Sequence, residues 1–140
     1  MYGYPVVDAK KLGVDDYLKN NPDVAGMAWG GGENGTDPTE ERTIVVNPYN
    51  KYMSDPVKRE GLLIIEAARH RMGETKYNPT FPLTESQQEW RKGLGPYAKD
   101  DKAFRQSIVS RLMVGDKVPG ATKEQKLEAE RFLKLLEKTP

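Results

Sequence analysis

The chain is 140 residues long, 36% hydrophobic and 31% charged, with 22 Lys and Arg against 21 Asp and Glu. It has one His and no Cys, which excludes a disulfide scaffold, a thiolate zinc site and a two-His metal centre. A net charge of +1 argues against a polyanion binder and against an acidic nucleic-acid mimic.

One domain, 1–140, is expected at this length. Its front part, 1–54, is loop-rich and carries 5 basic and 8 acidic residues; its helical part, 55–140, carries 17 and 13. The N-terminus, Met1-Tyr2-Gly3-Tyr4-Pro5-Val6-Val7-Asp8, has neither the basic region nor the apolar run of a signal peptide. Residues 8–20 suit a short helix ended by Asn20-Asn21-Pro22. Residues 24–42 read as a long irregular segment containing Gly30-Gly31-Gly32, Asn34-Gly35 and Asp37-Pro38. The β-branched run Thr43-Ile44-Val45-Val46 predicts a strand closed by Asn47-Pro48. It needs a partner from residues 4–7, from 24–29 or from another chain.

Asp55-Pro56 is a strong helix start. Over 56–72, Val57, Gly61, Ile64, Ala68 and Met72 share one face, with Leu62 and Leu63 on the flanks. This predicts a central buried helix ending at Gly73. Its run Leu62-Leu63-Ile64-Ile65 is the longest apolar stretch, far below the roughly 18–20 residues of a membrane span, so a soluble protein is expected. Thr84-Glu85-Ser86-Gln87 and Thr122-Lys123-Glu124-Gln125 are capping boxes that open helices toward Lys92 and Lys138. Between them a helix near 101–114 carries two apolar ridges, Phe104, Ile108 and Leu112, then Val109 and Met113, as if packed on both sides. In the last helix Ala129, Phe132, Leu133, Leu135 and Leu136 lie opposite a charged face. The fold class is therefore mainly α: four to five helices around helix 56–72, a minor β element near 43–46 and long Gly/Pro-rich loops.

Gly30-Gly31-Gly32-Glu33-Asn34-Gly35 fits G-x-G-x-x-G, yet Thr36-Asp37-Pro38 follows where a phosphate-binding helix would begin. The glycines read as a turn that needs positive φ, with Trp29 as a bulky anchor beside a pliable backbone. Ile65-Glu66-Ala67-Ala68-Arg69-His70 sets His70 one residue out of register with the H-E-x-x-H zinc helix. Glu66 and His70 are i,i+4 on the more polar face and read as a solvated or hydrogen-bonded pair. An acid/base pair of a degenerate metallopeptidase or hydrolase is the alternative, without a recognisable nucleophile. The adjacent carboxylates Asp15-Asp16, Glu40-Glu41 and Asp100-Asp101 suit helix starts and loops. The basic residues lie scattered among acids, without the aromatic-interleaved stripe of a single-strand binder. No metal, cofactor or specific nucleic acid is expected. Tyr49, Tyr52, Trp90 and Tyr97 fall in or beside the Pro/Gly-rich connectors, where they cover the core or anchor an interface.

Five segments taken in order, Gly26-Met27-Ala28-Trp29-Gly30-Gly31-Gly32, Ile44-Val45-Val46-Asn47-Pro48-Tyr49, Glu66-Ala67-Ala68-Arg69, Leu83-Thr84-Glu85-Ser86-Gln87-Gln88 and Ile108-Val109-Ser110-Arg111-Leu112-Met113-Val114-Gly115-Asp116, resemble small uncharacterised proteins of tailed bacteriophages. The likeness spans about residues 24–116. It implies a phage context, a virion-associated or accessory role, and a place in the virion or the host cytoplasm; it carries over no catalytic residue. The expectation is a non-enzymatic structural or interaction protein contacting other virion subunits or itself. Contacts would use Trp29, Gly30, Gly31, Gly32, Tyr49, Tyr52, Trp90 and Tyr97, and strand addition at 43–46. A small inhibitor of a host protein is the other phage reading.

Overall fold

A computed structural model describes residues 1–30, 41–95 and 98–138. Among these the chain forms α1 (Asp15–Asn20), β1 (Gly26–Trp29), β2 (Thr43–Val46), α2 (Pro56–Thr75), α3 (Glu85–Arg91), α4 (Asp101–Met113) and α5 (Lys123–Glu137). The fold is mainly α with a small antiparallel sheet. No helix of the described residues is long and apolar enough to cross a membrane.

The two strands pair in the register Gly26↔Val46, Met27↔Val45, Ala28↔Ile44 and Trp29↔Thr43. Strand side chains alternate between faces. Ile44 enters the main core with Phe104, Ile108, Ala67 and Ala68, and Val45 enters a smaller cluster with Ala9, Val14 and Leu18. Gly26 lies on the face toward α2, where a Cβ would stand 2.6 Å from Leu62 Cδ2. Its lack of a side chain is what lets the sheet approach α2.

The expected open ladder at 43–46 is corrected by the structure. β1 covers one side of β2. On the other, Ile44 N donates to Pro5 O and Val7 N donates to Ile44 O, both at 2.8 Å, in a parallel bridge to Val6. Both candidate partner segments are used at once, so β2 is an interior strand at Ile44 and offers no free ladder there.

α2 packs against both strands, α4 and α5. Asp55 caps it by accepting from Val57 N and Lys58 N, with Pro56 at the first position. It passes Gly73 and stops at Lys76, whose φ of 52° is left-handed. Glycine inside a helix costs only about 1 kcal/mol relative to Ala. Glu74, one residue on, is held by the Tyr4 hydroxyl at 2.6 Å and by Arg42 at 3.5 Å, which keeps the last turn wound. Val57, placed by its spacing on the core face, is instead 79% exposed, because the first turn of α2 overhangs the core. Leu135 of α5 is likewise exposed, while Ala129, Phe132 and Leu136 are buried. The N-terminal helix is shorter than expected: Gly13 has a φ of +72°, and turns built on Asp8 and Lys10 precede it.

α4 meets α2 on one side and α5 on the other, as its two ridges require. Both capping boxes form. Their third-position glutamines, Gln87 and Gln125, are fully buried and bond to each other through both amides, at 2.6 and 2.9 Å. Each Oε1 also accepts its own cap's backbone N–H, so one amide pair joins the starts of α3 and α5.

Candidate interaction site

The loop after β2 reads Asn47-Pro48-Tyr49-Asn50-Lys51-Tyr52, a tandem Asn-x-Tyr repeat. Each Asn side chain accepts the backbone N–H of the tyrosine two residues on: Asn47 Oδ1 from Tyr49 N and Asn50 Oδ1 from Tyr52 N, both at 2.9 Å. These Asx turns are a local alternative to helix or ladder bonding, and Pro48 further restrains the first of them. Both asparagines are buried. Asn47 Nδ2 reaches the carbonyls of Leu18, Asn21 and Val24, and Asn50 Nδ2 reaches that of Pro22. The loop is thus bolted to the segment between α1 and β1, and its two tyrosines are turned outward.

Tyr49 is 39% exposed and Tyr52 is 48% exposed. The Tyr49 hydroxyl donates to the Asp15 carboxylate, with both oxygens within 3.1 Å, and this bond holds its phenol above the ordinary value. The Tyr52 ring carries two ammonium groups, Lys58 Nζ at 4.2 Å and Lys51 Nζ at 4.9 Å from its centroid. Cations prefer the electron-rich face of a ring, so the lysine stems are drawn along the tyrosine.

Two grooves meet at this loop. One, of about 700 Å³, has Tyr52, Met53, Val57, Leu62, Ile65 and Val114 among its lining residues. Asp23, Lys51, Lys58 and Asp116 also line it, two charges of each sign. The other, of about 800 Å³, lies between the N-terminal segment and the loop and is more polar, with Asp8, Lys10, Asp15 and Arg59. Tyr49, Asn50, Lys51 and Met53 belong to both.

The remaining expected contact residues are dispersed. Trp29 ends β1 opposite Thr43 and is partly exposed. Gly30 follows with a φ of +98°, and a Cβ there would stand 1.8 Å from Glu41 O, so its role is a close backbone crossing. Gly31, Gly32 and Tyr97 lie outside the described residues. Trp90 sits in the last turn of α3, beside the connector that follows, and packs half-buried on Phe104 at 5.8 Å beneath the Arg111 guanidinium at 5.1 Å.

Glu66 and His70 are not on a solvated face: each is 2% exposed. α2 turns them toward the sheet. The Glu66 carboxylate takes a backbone bond from Ala28 and lies 3.4 Å from Arg69, while its Oε2 has no hydrogen-bond partner. Burial raises its carboxyl above the ordinary value; Arg69 and the Ala28 bond oppose this. His70 Nε2 donates to Thr43 O at 2.6 Å, and the ring lies 5.1 Å from that of Tyr4. Burial lowers the imidazole, against the pull of the Thr43 bond. Neither residue lines the two grooves. Among the described residues no cluster of acids and His fits a metal ion.

The tandem Asn-x-Tyr loop is the functional candidate that the aromatic count detected only in part. Tyr49 and Tyr52 were singled out by residue type, as rings that cover the core or anchor an interface, and the structure leaves both exposed; the period-three repeat was the signal for the turns that present them. Compared with protein-family models, with curated proteins and with solved structures, the chain matches none.

Proposed function

We propose that this chain is a non-enzymatic interaction protein that associates with a second copy of itself through the face built on Tyr49, Tyr52 and Val57. The observation that carries this is a rigid double Asx turn presenting two exposed tyrosines at the rim of an apolar groove. Tyrosines held at fixed angles lose little side-chain freedom on binding and anchor protein interfaces. The groove's apolar floor lies among two acids and two lysines. A patch of balanced sign suits its own two-fold image, in which basic groups of one copy meet acidic groups of the other. It gives no single-sign field for a polyanion or an anionic lipid surface.

The likeness to small tailed-phage proteins extends this proposal to a virion-associated role, in which self-association builds part of a particle. Sedimentation velocity over a concentration series tests the association. The expected result is a mass that rises toward twice the monomer, and a Val57→Asp variant that stays monomeric. A wild-type chain that remains monomeric into the millimolar range would refute it.

A further inference from the structure

Glu66 and His70 are one turn apart on α2, and each holds a different strand of the same hairpin. Glu66 takes the backbone bond of Ala28 in β1; His70 donates to Thr43 in β2. Ala28 and Thr43 belong to adjacent rungs, since Ala28 faces Ile44 and Trp29 faces Thr43. Two titratable side chains, both buried, therefore grip the end of the hairpin from which residues 30–42 run. Two buried oxygens beside this grip, Glu66 Oε2 and Thr43 Oγ1, have no hydrogen-bond partner.

We propose that Glu66 and His70 act as a proton-operated clamp that sets whether the hairpin end, with Trp29, stays docked on α2. This is independent of what occupies the Tyr52 groove. With both groups neutral the clamp is closed. Loss of the Glu66 proton places a negative charge in the interior, where burial already disfavours it and Arg69, itself half-exposed, compensates only in part. Gain of a proton on His70 Nδ1 places a positive charge in a shell already occupied by Arg42, which donates to the His70 carbonyl at 3.3 Å. Glu74 faces this shell too, but it is shared among Arg42, Arg71 and the Tyr4 hydroxyl, and the Tyr4 ring covers the imidazole. Either charge is relieved by letting water reach the hairpin end, so docking weakens through His70 as pH falls below 6.5 and through Glu66 as pH rises above 4.5.

Amide hydrogen exchange read by NMR tests the clamp on the whole chain. Protection factors at Met27 and Ala28 are compared across pH with those at Ile108 and Phe132, in the wild type, in Glu66→Gln and in His70→Gln. Hairpin protection is expected to carry two opposed pH dependences, a His70 arm that lowers it as pH falls below 6.5 and a Glu66 arm that lowers it as pH rises above 4.5. Each arm should change it by up to about tenfold per pH unit, the limit for one linked proton. Glu66→Gln should remove the arm that falls with rising pH and keep the His70 arm, and His70→Gln should do the reverse. Protection independent of pH in both variants, an arm that persists in the matching variant, or parallel loss at Ile108 and Phe132 would each overturn the proposal. If His70→Gln does not fold, Glu66→Gln and the wild-type comparison with Ile108 still decide it.

Discussion

Asn47 and Asn50 occupy equivalent positions three residues apart and make the same turn bond, but they are anchored unequally. Asn47 Nδ2 lies within 3.2 Å of three carbonyls, those of Leu18, Asn21 and Val24, whereas Asn50 Nδ2 meets only that of Pro22. Removing a buried donor forfeits its hydrogen bonds and orphans any acceptor without a second donor, at about 1–3 kcal/mol; at Asn47 that acceptor is Val24 O, since Leu18 O and Asn21 O keep the backbone bonds of Asn21 and Val24. Asn47→Ala is therefore expected to destabilise by about 2–3 kcal/mol and Asn50→Ala by about 1 kcal/mol. Urea unfolding of the two variants measures the difference; equal losses would mean that the three-carbonyl contact contributes nothing.

Gln87 and Gln125 should behave as a unit. Each is buried and serves both its own cap and the other's amide. Truncating Gln125 leaves Gln87 Nε2 without an acceptor, whereas truncating Gln87 leaves Gln125 Nε2 on the Pro82 carbonyl, so the single Ala variants are expected to cost about 2 and about 1 kcal/mol respectively. The double variant should cost less than the sum, with a coupling of about 0.5–3 kcal/mol. A double-mutant cycle by chemical denaturation checks this, and strict additivity would refute it.

Gly26→Ala is expected to destabilise by about 1–3 kcal/mol, because the new methyl meets the Leu62 side chain and the Val45 carbonyl. Leu62 can give way and the carbonyl cannot. Combining the change with Leu62→Ala should recover part of the contact strain but not all of it, as thermal unfolding of the pair against Leu62→Ala alone would show.

The pH dependence of stability follows from two opposed shifts. His70 is lowered from 6.5, so the unfolded chain binds its proton more readily. The stability it contributes is present above pH 6.5 and is lost as pH falls toward the folded value. Glu66 is raised from 4.5, so its contribution is present below pH 4.5 and is lost as pH rises through the folded value. Denaturant midpoints should therefore fall less between pH 6.5 and 5 in His70→Gln than in the wild type. Midpoints of Glu66→Gln should fall less on the alkaline side.

Much of the helical scaffold was legible because its signals are local. Thr84, Gln87, Thr122 and Gln125 specify their caps within four residues, and Asp55-Pro56 does the same for α2. What failed depends on contacts distant in sequence. Gly73 reads as a stop until Tyr4 and Arg42 are brought to Glu74. Val57 fits the core spacing, yet its side chain stays exposed on the first turn of α2. Glu66 and His70 look polar and therefore solvated, but the sheet they face comes from residues 26–46. The strand at 43–46 was read correctly, while its two-sided pairing depends on where the N-terminal segment docks. At the candidate site the tyrosines were visible by type, and the asparagines that orient them were hidden by reading Asn-Pro only as a strand end.

The central claim, that the Tyr52 face joins two copies, is tested most directly by photo-crosslinking from within it. A benzophenone side chain is placed at position 52 in the otherwise unchanged chain, and at exposed Leu127 of α5 as the control. Irradiation of the purified protein is expected to give a covalent dimer from position 52, with the crosslinked peptide drawn from residues 49–62 or 114–116, and none from position 127. A monomer-only product from position 52, or equal dimer from both positions, would contradict the account.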